Sequence, residues 1–450
     1  MAETVDQLLQ ADREHLIHPL HAAADAEHPL LMVEGRGAII KDVAGREYID
    51  SLAGLWNVNV GHGRRELAEA AAEQMGRLAF ASSYAGVSNM PSIRLADRLI
   101  ALAYPNMSGV YFTTAGAESN ESAFKTARYY WKVQGRPGKV KIISRVHGYH
   151  GVTLATMSAT GMAAYHKMFG PLVPDFIQVA PPYPYRWTGG DPGVGAAASL
   201  EEAIVREGAD TVAAFIAEPV MGAGGVIVPP PAYFPKVREI CDRYDVLFIA
   251  DEIITGFGRT GRWFALDHWG VQPDIVSFAK GVTSAYQPLG GILVSKRIHA
   301  ALLEAPPDKR YMHASTYSAH PVCCAVGLRN VEILEQEGLV KRAAVIGRRL
   351  LAGLETLRDL PAVGDVRGLG LMCGVELVED RATKTPAIGL GGRFVREAIA
   401  RGLLPRIRAG SADPPIGDTI CLAPPLVTPE ETIDRMVEIV RQAIVAASKS

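Results

Sequence analysis

The sequence predicts an α/β protein with a large domain on a mostly parallel sheet and a smaller α+β domain after it. Three observations carry this. Through the middle of the chain, short β-rich runs alternate with helical stretches of about 15 residues, the pattern of a parallel sheet crossed by helices. Those runs are apolar throughout instead of alternating, as in strands covered on both faces. From about Gly327 the pattern changes to one long amphipathic stretch followed by short β and helical pieces. The 450 residues also exceed the ~250–300 at which a single core stops growing. We therefore divide the chain into an N-terminal segment over 1–60, a large domain over 61–325 and a small domain over 326–450.

Taken in order, "GAIIKDVAGREYIDSLAG" reads as a hairpin turning at Ala44-Gly45, and it is expected to pack beside the C-terminal domain. "GVYFTT" (109–114) is the first core strand. The helix behind it starts at about Glu118, and Ala123, Phe124, Ala127 and Tyr130 mark its buried face by their helical spacing. "KVKIISRV" (139–146), "TVAAFIAE" (211–218), "DVLFIADE" (245–252), "DIVSFAK" (274–280) and "GGILVS" (290–295) follow as strands. "GLRNVEILEQEGLVKRAAVIGRRLLAGLETL" reads as one long helix, then come "VRGLGLMCGVELV", a helix near 391–401, and "DTICLAPPL".

Composition excludes several classes. The 46 basic and 48 acidic side chains nearly balance, and no like-charged block suggests a nucleic-acid partner. Five cysteines lie without CxxC pairs, so neither a disulfide framework nor a metal site is expected, and a reducing cytoplasm fits. "MAETVDQLLQADREHLIHPL" carries charge throughout, and no run reaches the ~20 apolar residues of a membrane span. The chain is expected to be unexported and away from the membrane.

Chemistry enters at the strand ends. "AAFIAEP" finishes on Glu218, "LFIADE" on Asp251 and Glu252, and "DIVSFAK" on Lys280. The spacings, 33 residues from 218 to 251 and 29 from 251 to 280, match the ~30 residues of a βαβ unit. Successive parallel strands would line these charges along the carboxyl edge of the sheet, where open α/β sheets bind ligands. A crevice lysine is suited to attack a carbonyl, and pyridoxal phosphate requires such a lysine. It also requires an acid beside its pyridine nitrogen. A carboxylate at ~4 Å in an effective dielectric of ~20 favours the pyridinium by about 4 kcal/mol, and Asp251 is the candidate. The small-residue turn Ala115-Gly116-Ala117 before a helix offers free N–H groups to a phosphate. Tyr149, in "RVHGYHG" (145–151), is placed to stack on a flat ring.

These residues resemble the class III, fold-type I pyridoxal-phosphate aminotransferases, in particular the ω-amino acid and amine:pyruvate branch. The likeness runs through "DSLAGLWNVNVGHGR" (50–64), the phosphate turn, "HGYHG", "AEPVMGAGGVIVPP", "DEIITGFGRTGRWFALDHWGVQPDIVSFAKG", "STYSAHP" and "GDTICLAPPL". The resemblance implies that Lys280 binds the cofactor covalently and then moves the proton, and that Asp251 pairs with the ring nitrogen. Glu218 would support Asp251 or the ring-hydroxyl side, Tyr149 would stack on one face, and Ile253 would press on the other. Gly116 and Ala117 correspond to the phosphate-binding amides. Thr316, in "STYSAHP", resembles the residue that reaches the phosphate from a neighbouring subunit, implying a homodimer with shared sites or a tetramer built from it. Where many relatives have Ser-Gly-Ser, this chain has Ala-Gly-Ala; two hydroxyl donors are missing, with Thr114 or Ser119 as compensation or weaker cofactor retention as the result.

On the substrate side, Arg406 in "RGLLPRIRAG" matches the family's mobile carboxylate anchor, with Arg408 as its rival because "AGSADPPI" looks inserted just after. Leu55 and Trp56 resemble the wall of the larger pocket, with Tyr84 added to it. The resemblance implies a small-molecule amine donor with a terminal amine, and pyruvate or a similar keto acid as acceptor. The alternatives are a decarboxylating or 2-oxoglutarate-dependent relative, a racemase or an aminomutase. Further off are a dinucleotide-binding oxidoreductase, for which "GAGG" and "GFGRTG" lack the helix and ribose acid that chemistry needs, and a non-catalytic ligand sensor.

Overall fold

The computed structural model describes residues 4–20 and 29–449. The helix Val5–His15 comes first, and an antiparallel meander follows: β1 (Met32–Arg36), β2 (Ile39–Asp42) and β3 (Glu47–Asp50). Its β2–β3 turn is closed by Asp42, whose carboxylate accepts from the N–H groups of Ala44 (3.0 Å) and Arg46 (2.9 Å). Charge and turn residue together fix the hairpin that the sequence predicts at Ala44-Gly45.

The central sheet has seven strands: β4 (Met107–Thr113), β5 (Lys141–Arg145), β6 (Phe176–Val179), β7 (Val212–Ala217), β8 (Leu247–Asp251), β9 (Ile275–Phe278) and β10 (Gly290–Ser295), in the order β4-β10-β9-β8-β7-β5-β6. β7, β8 and β9 are buried along their whole length, which is why they read as continuous apolar runs. The sheet is mostly parallel, as expected, but β10 runs antiparallel to both β4 and β9. Only residues 279–289 join β9 to β10, too few for the crossover of a dozen or more that a parallel return needs. The β7–β8 crossover carries the helix Tyr233–Arg243, whereas β8 reaches β9 through turns and one short 3-10 segment, Ala265–His268. The 29-residue interval thus matches a βαβ unit in length but holds no α-helix.

The long helix expected from Gly327 is two helices, Pro321–Gln336 and Leu339–Glu355. Gly338 between them adopts a left-handed φ of 62°, a conformation that ends a helix and suits glycine. Beyond lie β11 (Val363–Gly368), β12 (Cys373–Asp380), β13 (Thr385–Pro386), the helix Leu390–Ala400, β14 (Leu403–Leu404), β15 (Arg406–Arg408), β16 (Thr419–Leu422) and the helix Glu430–Lys449. β11, β12, β16 and β15 form an antiparallel sheet, with β13 on β12. β3 pairs in parallel with β14, Ile49 opposite Leu403, so the N-terminal meander is bonded to the C-terminal part of the chain. Among the described residues, no helix is long and apolar enough to cross a membrane.

Candidate active site

β7, β8 and β9 pair in register, Ala217 with Ala250 and Asp251 with Ser277. Glu218, Asp251 and Lys280 therefore leave adjacent strands at one edge. The two acids are buried and the lysine is half-buried. Lys280 holds a left-handed φ of 47°, a strained conformation for a residue with a Cβ. Asn330 pins the turn after it by donating to Gly281 O (2.9 Å) and Val282 O (3.0 Å). Among the described residues the Lys280 amine has no hydrogen-bonded partner. Burial pushes it down to about 8, Asp251 and Glu218 pull it back up, and Arg259 presses it down further.

Asp251 is aimed by its neighbours. Its Oδ2 accepts from Asn120 Nδ2 at 2.8 Å and lies 2.7 Å from His150 Nδ1. Among the described residues its Oδ1 meets only the Ile253 N–H, at 3.2 Å. Glu252 turns the other way: Tyr104 Oη (2.6 Å) and the Ala265 N–H (2.7 Å) donate to it, and burial pushes it up to about 7. It fastens the 264–266 segment and stands apart from the crevice. Glu218 accepts from the N–H groups of Tyr149 (3.0 Å) and Gly222 (2.9 Å), so it holds the Tyr149 loop and forms no hydrogen bond with Asp251. Burial raises its carboxyl, with Asp251 adding to the rise. The Tyr149 phenol is pushed up to about 12, mainly by burial, while Arg406 pulls it back.

Asn120 and His150 are functional candidates that sequence reasoning missed. Asn120 lies at helical spacing before Ala123, Phe124 and Ala127, a polar residue on the apolar stripe of the helix Gly116–Val133. His150 follows Tyr149 directly, and the two side chains diverge: Tyr149 packs against Tyr165, ring centroids 5.5 Å apart, while His150 turns down to Asp251.

The small-residue turn lies where a phosphate would meet the helix start. A Cβ at Gly116 would fall 3.0 Å from Ile253 Cδ1 and Cγ2, so glycine lets the turn and Ile253 close on each other. The expected compensation by hydroxyls is absent. Thr114 Oγ1 donates to Glu118 Oε2 (2.6 Å), and Ser119 Oγ points into the sheet, 2.8 Å from Thr113 Oγ1 and 3.0 Å from Phe278 O. With both committed, Ala117→Ser should tighten phosphate retention about tenfold or more, the worth of one charge-assisted hydrogen bond. Cofactor dissociation rates compared between the two proteins check this.

The substrate-side residues are more scattered. Arg406 is exposed and, among the described residues, has no ion-pair partner. Arg408 is only 9% exposed, approaches His147 Nδ1 at 3.2 Å and donates to Ala409 O at 2.6 Å. Trp56 is 4% exposed in a core cluster with Leu52, Val220 and Ile254, while Leu55 is 49% exposed beside it. Asp50 holds this turn through the N–H groups of Leu52 (3.2 Å) and Gly54 (2.6 Å). Tyr84 and Thr316 are both exposed, outside the cluster of strand ends; their segments adjoin through Ser83 Oγ, which donates to Ser318 O at 2.8 Å.

Residues 21–444 match the family described as aminotransferase class-III. The chain belongs to the class III aminotransferases. It is 39% identical to the diaminobutyrate–2-oxoglutarate transaminase of Halomonas elongata, over 98% of this chain and 96% of that protein. It is also 39% identical to the putrescine–pyruvate aminotransferase of Pseudomonas aeruginosa, over 96% and 94%. Among solved structures, a thermostable (S)-enantioselective ω-transaminase from Thermomicrobium roseum is 46% identical with a TM-score of 0.94, over 99% of this chain and all of that one. Class III aminotransferases use pyridoxal phosphate, and the residues at the strand ends fit it. There is an amine with no hydrogen-bonded partner among the described residues for its aldehyde, a carboxylate whose Oδ1 accepts from one backbone N–H for its pyridine nitrogen, and a helix start with a glycine cradle for its phosphate. The buried Asn120 Oδ1 and His150 Nε2 leave polar capacity on the two residues that hold Asp251.

Proposed function

We propose that this aminotransferase moves an amino group from an ω-amino acid or primary amine to pyruvate or a similar small keto acid. The observation that carries this is Arg406, the one arginine of the 406/408 pair free to meet a carboxylate. Pyruvate needs one such anchor, whereas 2-oxoglutarate carries two carboxylates, and Arg408 is committed to His147 and Ala409. The putrescine–pyruvate relative and the ω-transaminase neighbour support the same reading; the diaminobutyrate–2-oxoglutarate relative supports the competing acceptor.

When bound, pyridoxal phosphate supplies an aldehyde that takes up the amino group and a protonated ring that draws electrons from the substrate carbon. Lys280 would hold the cofactor through its Nζ and would carry the proton that the substrate carbon gives up. Asp251 would keep the ring nitrogen protonated through Oδ1, its Oδ2 being anchored by Asn120 and His150. Tyr149 and Ile253 would flank the ring, the N–H groups at Gly116 and Ala117 would hold the phosphate, and Glu218 fixes the Tyr149 loop. Leu55 and Trp56 would shape the donor side, with Tyr84 added from the exposed face that carries Thr316.

The second copy of the chain completes the site in this reading. Thr316 and Tyr84 lie on an exposed face with Phe80 and Tyr317, whose ring centroids are 6.0 Å apart, and Thr316 would reach the partner's phosphate. A monomer by light scattering would remove this part of the reading. We infer a cytoplasmic location, supported by five buried cysteines that form no disulfide.

The test is alanine formation from pyruvate with putrescine or another primary amine as donor. In Arg406→Ala the KM for pyruvate should rise at least about tenfold, the cost of losing a charged hydrogen-bond anchor, while amine uptake in the first half-reaction stays near wild type. Alanine yield unaffected by the substitution, or 2-oxoglutarate preferred over pyruvate, would overturn the choice of acceptor.

A further inference from the structure

Arg259 is a fully buried guanidinium with no carboxylate in ion-pair contact among the described residues. Its Nη1 donates to Ala423 O (3.1 Å) and Pro424 O (2.5 Å), and its Nη2 to Asn59 Oδ1 (2.6 Å). Its own carbonyl accepts from the Leu371 N–H at 3.0 Å. Asn59 in turn donates to Phe257 O (3.0 Å), and its carbonyl accepts from the Leu426 N–H (2.8 Å). The loop that bears Lys280 closes on the same knot: a Cβ at Gly281 would fall 2.6 Å from Asn59 Nδ2 and 3.0 Å from Phe257 Cβ. Ala423 also donates to Ser51 O at 2.7 Å. Three parts of the chain thus meet at the bonded pair Arg259 and Asn59: the 50–60 segment with Leu55 and Trp56, the lysine turn, which closes on Asn59, and the 423–426 segment that follows β16, which Arg259 holds.

An apolar residue of this volume would fill the space without the desolvation cost of a buried cation. Carbonyl oxygens meet the two terminal nitrogens, but Nε has no hydrogen-bond partner among the described residues, and the only carboxylate acting on the charge, Asp50, stays outside ion-pair contact. We infer that Arg259 is a positioning residue for transamination, setting the approach of the Lys280 amine by clamping its turn to the substrate wall and to the 423–426 segment. This deepens the reading of Lys280 as the cofactor-binding amine and rests on it. The charged groups acting on that amine are Asp251 and Glu218, which favour its proton, and Arg259, which opposes it. Position and charge therefore work in the same direction, toward a neutral nucleophile held in place.

The test uses apoenzyme, where no cofactor chemistry intervenes. Limiting acetic anhydride labels neutral amines, and peptide mass spectrometry reports the label on Lys280 as a function of pH. In Arg259→Met the midpoint should rise by about 0.3 pH unit or more, so labelling at pH 7 falls at least about twofold. In Arg259→Lys, which keeps the charge but cannot span Asn59 and Pro424 together, the midpoint should stay near that of the unaltered protein. In the loaded enzyme that same variant should lose at least tenfold in kcat with little change in KM. An unmoved midpoint in Arg259→Met overturns the inference; if that variant does not fold, an unchanged kcat in Arg259→Lys does so. Activity retained in Lys280→Ala would instead remove the reading of Lys280 and leave the apoenzyme titration intact.

Discussion

Lys280→Ala will abolish amine transfer while the protein remains folded. Losing a positioned proton carrier alone costs about 10²–10⁴-fold, and losing the nucleophile removes a covalent step besides, so the residual rate should fall below about 10⁻⁴ of wild type. The environment explains why no other group substitutes. With the amine lowered to about 8, roughly a tenth of it is neutral at pH 7, against about three parts in ten thousand for a lysine at its ordinary value. Cofactor capture by the apoenzyme should accordingly rise with pH and level off above about 8. Stability should change little, because alanine at 280 inherits the same left-handed backbone and the Asn330 bonds to Gly281 and Val282 are made by main-chain carbonyls. Steady-state turnover, borohydride-trapped cofactor on the residue 280 peptide and a melting curve check the three parts. Turnover within a hundredfold of wild type would remove Lys280 from its role.

What could be read from the sequence follows from where its physical causes lie. β7, β8 and β9 are buried on both faces, so their composition alone announces them, and the charges at their ends stand out because a sheet interior excludes charge. The edge strand β6, "FIQV", is only partly buried and offered too weak a signal to be assigned. The direction of β10 is not a property of its residues; only the short 279–289 connection encodes it. The helix Glu430–Lys449 does carry a periodic stripe, Ile433, Met436, Val440, Ala443, Ile444 and Ala447, and it went unassigned although that signal was present. Depth was the harder quantity. Arg406 and Arg408 lie two apart on one strand and share a face, so periodicity cannot rank them. His147, 261 residues away in sequence, decides that Arg408 is the committed one. Asn120 and His150 were obscured for the same reason, since each matters only through Asp251, 131 and 101 residues distant.

That second layer gives Asp251→Asn its expected severity. The carboxylate only accepts hydrogen bonds, and the structure directs two donors at one oxygen: Asn120 Nδ2 at 2.8 Å and His150 Nδ1 at 2.7 Å. The other oxygen faces the Ile253 N–H at 3.2 Å and the place where a ring nitrogen would sit. An asparagine here must turn its carbonyl toward the two donors. Its NH₂ then opposes the Ile253 N–H and presents a donor to the ring nitrogen, which can be met only if that nitrogen has lost its proton. The substitution therefore removes a favourable charge interaction of about 4 kcal/mol and inverts the hydrogen bond as well, so kcat/KM should fall at least about 10³-fold. His150→Ala leaves the charge but frees the carboxylate to rotate, and should cost less. Replacing the cofactor with an analogue methylated on the ring nitrogen, which carries a fixed positive charge, should restore part of the Asp251→Asn loss, because the analogue no longer depends on a residue to keep it charged. If the analogue restores nothing while binding normally, or if Asp251→Asn retains a tenth of wild-type kcat/KM, ring protonation is not what Asp251 supplies.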